Sequence, residues 1–347
     1  MADRMTAAVL YGKEDLKIEQ VPIPKIQPDE VLVRVRTALT CGTDLKVYRQ
    51  GYHARMIVPP AIFGHELSGE IERIGSDVQG FHVGMRVVAA NSAPCGECRY
   101  CLRDRANLCD NLLFNNGAYA EFIKIPGPIV RQNLLEIPEH ISFTDAALVE
   151  PLACVLRGFE QSHVRPDDSV LVIGMGPIGL MFVRLARLRG AHVIAVGKRD
   201  SQLTAAKRMG ADVVVNAGKG GDIAEEVRSK TPDHAGADIA IEAVGTPQTW
   251  ELAFQTMRRG GTVNCFGGCP SGSSVRLDTS LLHYSEISLH ATFHHTPAYI
   301  RKALECISRG DIRATDLITG QEPLTRLPDL MRDMVNRNGN IKTAIIP

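Results

Sequence analysis

The 347-residue sequence carries no net charge, since 39 Lys and Arg balance 39 Asp and Glu. This balance removes the basic footprint of a dedicated nucleic-acid binder. Long apolar runs are also missing. The longest, Val170 to Val183, has 14 residues broken by three glycines and a proline, short of the ~20 that a membrane-spanning helix needs. The N-terminal stretch carries Asp3, Lys13 and Glu14 and has no apolar h-region, so no secretory leader is expected and the expected location is cytoplasmic. There is no internal repeat and no low-complexity segment. With 22% charged and 44% hydrophobic residues, the composition is that of an ordinary globular chain rather than a disordered one. Its length suggests about two domains.

Cysteine is well represented. Of nine cysteines, four crowd into Cys95-Gly-Glu-Cys98-Arg-Tyr-Cys101 and, after seven residues, Cys109. An odd total with this clustering points to metal ligation in a reducing compartment rather than to a disulfide framework. Successive C-x₂-C spacings let sulfurs converge on one zinc ion, and a fully thiolate-wrapped ion has no open position, so the site is read as structural. An iron–sulfur cluster and a set of unrelated buried cysteines are the alternatives.

The first 130 residues read as β-rich. Glu30 to Thr37 places Val31, Val33 and Val35 on one face and Arg34 and Arg36 on the other, the period-2 pattern of a half-buried strand. Further apolar runs fall at 67–74 and 85–90, and irregular chain is expected over 41–64 and 91–118. From about residue 167 strands and helices alternate: a strand at 169–173, a helix from Pro177 to Arg189, a strand at 192–196, then further units to 266. This rhythm predicts a doubly wound parallel sheet of Rossmann type. Strand 169–173 runs into Gly174-Met-Gly176-Pro177-Ile178-Gly179 and then a helix. That is the setting in which glycines permit a tight turn and the helix N-terminus receives a pyrophosphate. At the end of the second strand, Gly197 stands where NAD sites carry an acid, and Lys198 and Arg199 follow. Two cations can pair with a 2′-phosphate, so NADP(H) is expected to be preferred over NAD(H). The alternative is a solvated turn with Asp200 serving the ribose.

Gly64-His65-Glu66-Leu-Ser-Gly69, followed by Gly75-Ser-Asp-Val78, resembles the signature of the zinc-containing alcohol dehydrogenases of the medium-chain dehydrogenase/reductase superfamily. Cys41-Gly-Thr43-Asp44 upstream resembles that family's first ligand segment. Glu150-Pro-Leu downstream is similar to the segment carrying a further ligand in its polyol (sorbitol) and threonine dehydrogenase branch. With the four-cysteine lobe and the glycine fingerprint in the same order, the resemblance spans essentially the whole chain. It implies an α/β protein in which a GroES-like β-barrel catalytic domain (1–150 and 288–347, with a zinc lobe near 91–112) brackets a Rossmann domain (151–287). It implies two zinc ions per chain, one catalytic and one structural, and a homo-oligomer, dimer or tetramer.

The resemblance further implies that Cys41, His65 and Glu150 bind the catalytic zinc, with Glu66 able to exchange in. For Glu150 a helix-start carboxylate is the alternative, and Cys154 is a rival third ligand. The implied reaction moves hydride between a secondary alcohol, polyol or sugar alcohol and the nicotinamide, with threonine-type oxidation or a catalytically silent scaffold as alternatives. Thr43 would hydrogen-bond the substrate oxygen. Lys46 occupies the place where relatives often carry a relay histidine, and is either a substitute in the relay or a surface lysine. Val47 stands where polyol-specific relatives tend to carry an aromatic. His294 and His295 are expected to meet substrate hydroxyls or the nicotinamide end, or else to be loop-packing histidines. Glu121 is read as structural, and Tyr48, His53 and Phe114 are candidate pocket residues.

Overall fold

Strand Val31–Leu39 organises the N-terminal part of the chain: all its residues are buried except Arg34, half-buried, and Arg36, exposed. Val31, Val33 and Val35 enter the larger core with Ile71, Val87, Ile123 and Ile125. Leu32 enters a second cluster with Met5, Ala7, Ala120 and Phe122. The alternating pattern predicts a half-buried strand, and the face carrying Arg34 and Arg36 is indeed the more open one; the second cluster covers that face at its Leu32 end. Each such aliphatic side chain taken out of water contributes about 1.5–3 kcal/mol.

The computed structural model describes residues 3–52, 56–336 and 340–347. They form two compact units, one of Met1–Ala153 and His295–Pro347, the other of Cys154–His294. In the first unit a sheet runs Leu134–Glu136, Arg86–Ala89, Leu67–Ile74, Val31–Leu39, Thr343–Ile346 and Gly320–Pro323, with Phe122–Ile125 also pairing Val31–Leu39. A three-stranded sheet of Asp15–Pro22, Arg4–Gly12 and Ala61–Ile62 accompanies it. The C-terminal strand pairs antiparallel with Val31–Leu39 through Ala344 and Leu39. That pairing makes the unit discontinuous in sequence.

The second unit is a six-stranded parallel sheet in the order Val213–Asn216, His192–Gly197, Ser169–Ile173, Ala237–Glu242, Met257–Cys265, Ser288–Ala291. The last strand pairs with its neighbour from Thr262↔Ser288 to Cys265↔Ala291. Residues 288–294 therefore belong with the parallel sheet rather than with the tail, and the expected boundary at 288 moves to His294. The expected helix at 177–189 is seen at Pro177–Leu188 and the expected strand at 192–196 at His192–Gly197.

One helix lies where irregular chain was expected. Gly42–Gln50 is helical, entered from extended Cys41, whose Sγ accepts the Thr43 N–H at 3.4 Å, and closed by left-handed Gly51. A thiol in place of the usual Ser, Thr, Asp or Asn hides this cap from the sequence.

Candidate metal centres and dinucleotide site

The helix Gly42–Gln50 begins at Cys41, and His65 and Glu66 immediately precede strand Leu67–Ile74. The Cys41 sulfur, a His65 ring nitrogen and a Glu66 carboxylate oxygen lie within 4.8 Å of one another. His65 and Glu66 are buried, at 4% and 0% exposure. His65 Nδ1 lies 2.9 Å from Asp44 Oδ1, and Asp44 Oδ2 accepts from the Tyr119 hydroxyl at 2.6 Å. A carboxylate on Nδ1 fixes the ring's orientation and leaves the Nε2 lone pair for a cation. Burial alone would lower the His65 pKa, but the charges of Asp44 and Cys41 outweigh it and raise it well above the ordinary value.

Glu66 is held from one side only. Its Oε2 lies 2.6 Å from Lys342 Nζ, and the same ammonium donates to the Thr40 carbonyl at 2.8 Å. Oε1 is buried and has no hydrogen-bond partner among the described residues. Burial pushes this carboxyl up, and Lys342 pulls it part of the way back. A buried acceptor without a partner calls for an explanation. Beside a thiol and an imidazole it completes a donor set of the kind zinc takes. The residues present fit the ion.

Glu150 stands outside this three-atom set. It sits in the first turn of helix Val149–Gln161, with Oε1 3.7 Å from His295 Nε2. Burial pushes its carboxyl up to about 7. His295 is 2% exposed, and its Nε2 is 3.1 Å from Asn91 Oδ1 and 3.5 Å from Ser92 Oγ. His294, by contrast, closes the second unit in a left-handed conformation with φ 63°, its ring beside Phe293. Thr43 is half-buried, and Lys46 is exposed one turn further on. Val47 and Tyr48 are part of the core. Phe114 is half-buried, His53 lies outside the described residues, and Glu121 Oε2 accepts the Thr6 N–H.

The four clustered cysteines also converge. Sulfur–sulfur distances are 3.4 Å for Cys95–Cys109, 3.5 Å for Cys98–Cys101 and 4.0 Å for Cys95–Cys101. These are far from the ~2.05 Å of a disulfide. They are close to the roughly 3.8 Å that separates four sulfurs each about 2.3 Å from one ion. Backbone N–H groups of Cys101 and Asp110 pull the Cys98 thiol down to about 6, whereas burial pushes Cys101 up to about 12.

In the second unit, strand Ser169–Ile173 turns at Gly174 with φ 101°, and Gly176 caps helix Pro177–Leu188. A Cβ at Gly179 would lie 1.8 Å from the Gly174 carbonyl oxygen, so helix and turn approach each other only through a bare backbone. Pro177 and Ile178 occupy the first turn of that helix. Gly197 is buried at the end of its strand, while Lys198 and Arg199 are exposed at the start of helix Asp200–Met209. Asp200 Oδ1 accepts from Asn216 Nδ2 at 2.7 Å.

Three residues of this arrangement had no role assigned from the sequence. Asp44 was legible in principle, three residues beyond Cys41 on the same helix. Tyr119 and Lys342 carry no local signal, and Lys342 reaches Thr40 across 302 residues of chain.

Residues 27–139 match the family model of the alcohol dehydrogenase GroES-like domain, and residues 177–309 that of the zinc-binding dehydrogenases. The sorbitol dehydrogenase of Bacillus subtilis is 34% identical over 99% of this chain and 97% of its own length. An L-threonine 3-dehydrogenase of Chelativorans is 34% identical over 79% of this chain and 80% of its own. A Sinorhizobium meliloti protein assigned to the zinc-binding dehydrogenases, crystallised with NADP, superposes with a TM-score of 0.90 at 29% identity over 99% and 100% of the two chains. An alcohol dehydrogenase from Thermus sp. ATN1 reaches 0.88 at 29% identity, over 99% of both. The chain thus belongs to the zinc-containing alcohol dehydrogenases of the medium-chain dehydrogenase/reductase superfamily, in the polyol dehydrogenase branch, and is an NAD(P)-dependent dehydrogenase.

Proposed function

We propose that this enzyme interconverts a polyol or sugar alcohol and the corresponding ketone, with NADP(H) preferred over NAD(H). The observation that carries the reading is the Cys41–His65–Glu66 cluster, with His65 and Glu66 buried and one Glu66 oxygen unpartnered among the described residues. In the proposed site Cys41 and His65 would hold the catalytic zinc, with Glu150 and Glu66 as the carboxylates available to it. When bound, zinc supplies Lewis-acid polarisation of the reacting oxygen.

The chain's own groups do the rest. Asp44, braced by Tyr119, holds the His65 ring. Thr43, two residues beyond Cys41 in the first turn of the same helix, is assigned to hydrogen-bond the substrate oxygen. Lys46, exposed on the same helix, is assigned to the solvent end of the proton path. Cys95, Cys98, Cys101 and Cys109 hold a second, structural zinc, supported by their convergent sulfurs.

NADP(H) preference rests on Gly197, Lys198 and Arg199, and it is supported by Asp200, whose carboxylate is engaged by Asn216. His294 is retained as a substrate- or nicotinamide-side residue. For His295, the contacts to Asn91, Ser92 and Glu150 favour a role in orienting Glu150. A cytoplasmic homo-oligomer of two or four copies is part of the reading. Among the described residues, strand Ser288–Ala291 ends the parallel sheet with Leu289 and Phe293 exposed, an edge open to pairing with another chain.

The test is turnover of zinc-replete protein with diols, sugar alcohols, cyclitols and threonine, each with NADP and NAD. Polyol oxidation with a lower KM for NADP supports the reading. Preference for threonine, named in relatives such as that of Chelativorans, replaces its substrate. No turnover with any alcohol sinks it.

A further inference from the structure

Three turns cluster at the C-terminal ends of strands Ser169–Ile173, Ala237–Glu242 and Met257–Cys265: residues 174–176, 243–245 and 266–268. The strand order reverses between the first two strands, one leading toward Val213–Asn216 and the other toward Ser288–Ala291. Ligands of open α/β sheets lie outside the carboxyl ends at such a reversal. Glu242, the last residue of its strand, is 0% exposed. Its Oε1 accepts the N–H groups of Val244 and Gly245 at 2.8 and 2.9 Å. Its main-chain carbonyl accepts those of Phe266 and Gly267 at 3.0 and 2.8 Å.

One residue therefore ties the second turn to its side chain and the third to its backbone. The second turn in turn abuts the glycine fingerprint, since a Cβ at Gly174 would stand 2.5 Å from Val244 Cγ2 and 3.2 Å from the Ala243 oxygen. A Cβ at Gly267 would stand 2.7 Å from Glu242 Oε2 and 2.4 Å from the Gly245 nitrogen, so the third turn must stay bare where it meets the carboxylate. Trp250 Nε1 closes that turn by donating to the Gly267 carbonyl at 2.9 Å. Burying a carboxylate costs more than burying an apolar side chain of similar size. Core packing alone does not explain it.

We propose that Glu242 is a positioning residue for the nicotinamide dinucleotide: its carboxylate holds the 243–245 turn against the fingerprint turn and so sets the shape of the crevice that receives the cofactor. The inference rests on the assignment of this unit as the dinucleotide-binding one. Glu242 acts through the turn, and its removal is expected to weaken both nucleotides alike, without the 2′-phosphate discrimination assigned to Lys198 and Arg199.

The test compares Glu242→Gln, which keeps an acceptor oxygen, with Glu242→Met, which keeps the length and removes it, and with Gly267→Ala, which crowds the carboxylate. Kd values for NADPH and NADH are read from nucleotide fluorescence, beside kcat, alcohol KM, zinc content and far-ultraviolet circular dichroism. Expected results are Kd values raised about tenfold for both nucleotides in Glu242→Met and Gly267→Ala. Glu242→Gln should stay within about threefold of wild type, with zinc content and alcohol KM unchanged throughout. A folded, zinc-replete Glu242→Met that binds NADPH as wild type does overturns the proposal. Should that variant not fold, wild-type nucleotide affinity in Gly267→Ala overturns it equally. Wild-type protein that binds neither nucleotide would instead remove the dinucleotide assignment itself, a distinguishable failure.

Discussion

Lys342 and Glu66 form a buried ion pair, with Nζ 2.6 Å from Oε2 and side-chain exposures of 3% and 0%. The pair joins the residue before the C-terminal strand to the residue before strand Leu67–Ile74. Removing one partner of a buried pair typically costs about 3–5 kcal/mol. Lys342→Met should therefore lower stability in urea by roughly that amount, and Glu66→Gln placed on top should recover part of it. A double-mutant cycle with no coupling between the two positions would show that the pair contributes nothing.

The path from Tyr119 through Asp44 to His65 would act from behind on the proposed ligand. Tyr119→Phe removes one hydrogen bond to Asp44 and keeps the ring in its packing against Phe63. Outer-shell changes of this kind lower metal affinity by about 10–100-fold, and this single hydroxyl is expected at the low end. Competition with a chromophoric chelator measures it, and the zinc proposed for the cysteine lobe serves as the internal control that should not change.

Arg199→Ala should raise KM for NADP about ten- to hundredfold, because a hydrogen bond to a charged group contributes about 1.5–3 kcal/mol. KM for NAD should stay within about twofold. Paired initial-rate measurements decide, and equal shifts for both nucleotides would assign Arg199 to the helix start rather than to the phosphate.

Cys109 closes the four-sulfur lobe from 14 residues beyond Cys95. Cys109→Ser should reduce bound zinc from two ions to one per chain and lower the Tm. The kcat of the folded fraction should stay near wild type, because a closed thiolate shell has no position for substrate. Atomic absorption beside initial rates would check both halves.

The response to pH follows from His65. Its folded pKa lies well above the ordinary 6.5, so in zinc-stripped protein the stabilisation from Asp44 is complete below 6.5 and fades as pH rises through the folded value. Zinc needs the same imidazole deprotonated, so its binding strengthens over that window. The Tm gain conferred by added zinc should widen as pH rises from 6 to 9. A gain that is constant or shrinks over this range would contradict the assignment of His65 as a ligand.

Much of this molecule was legible from local pattern. The strand at 67–74, the strand–turn–helix at 169–189 and the four-cysteine spacing all appear where hydrophobic period, glycine placement and thiol spacing put them. Helix Gly42–Gln50 was not legible, because its cap is a thiol. The edge strand Ser288–Ala291 pairs into the parallel sheet rather than joining the tail that the sequence predicts, because a short strand does not announce which neighbour it will pair with. His295 stood out only as an unusual pair with His294, and nothing local separates the buried histidine facing Glu150 from its half-buried neighbour.

By itself the sequence determined which residue types were available at which spacings: a thiol, an imidazole and carboxylates in one set, four thiols in another, bare glycines at a strand–helix turn. Those choices depend on chemistry and on a few residues of chain, so they can be read along it. Only the tertiary structure decided which carboxylate stands with Cys41 and His65, which cation restrains it, and which buried acid holds the turns beside the fingerprint. Each of these is a contact between segments distant in sequence. Its energy depends on burial and on approach within about 3 Å, quantities that exist only once the sheets have formed.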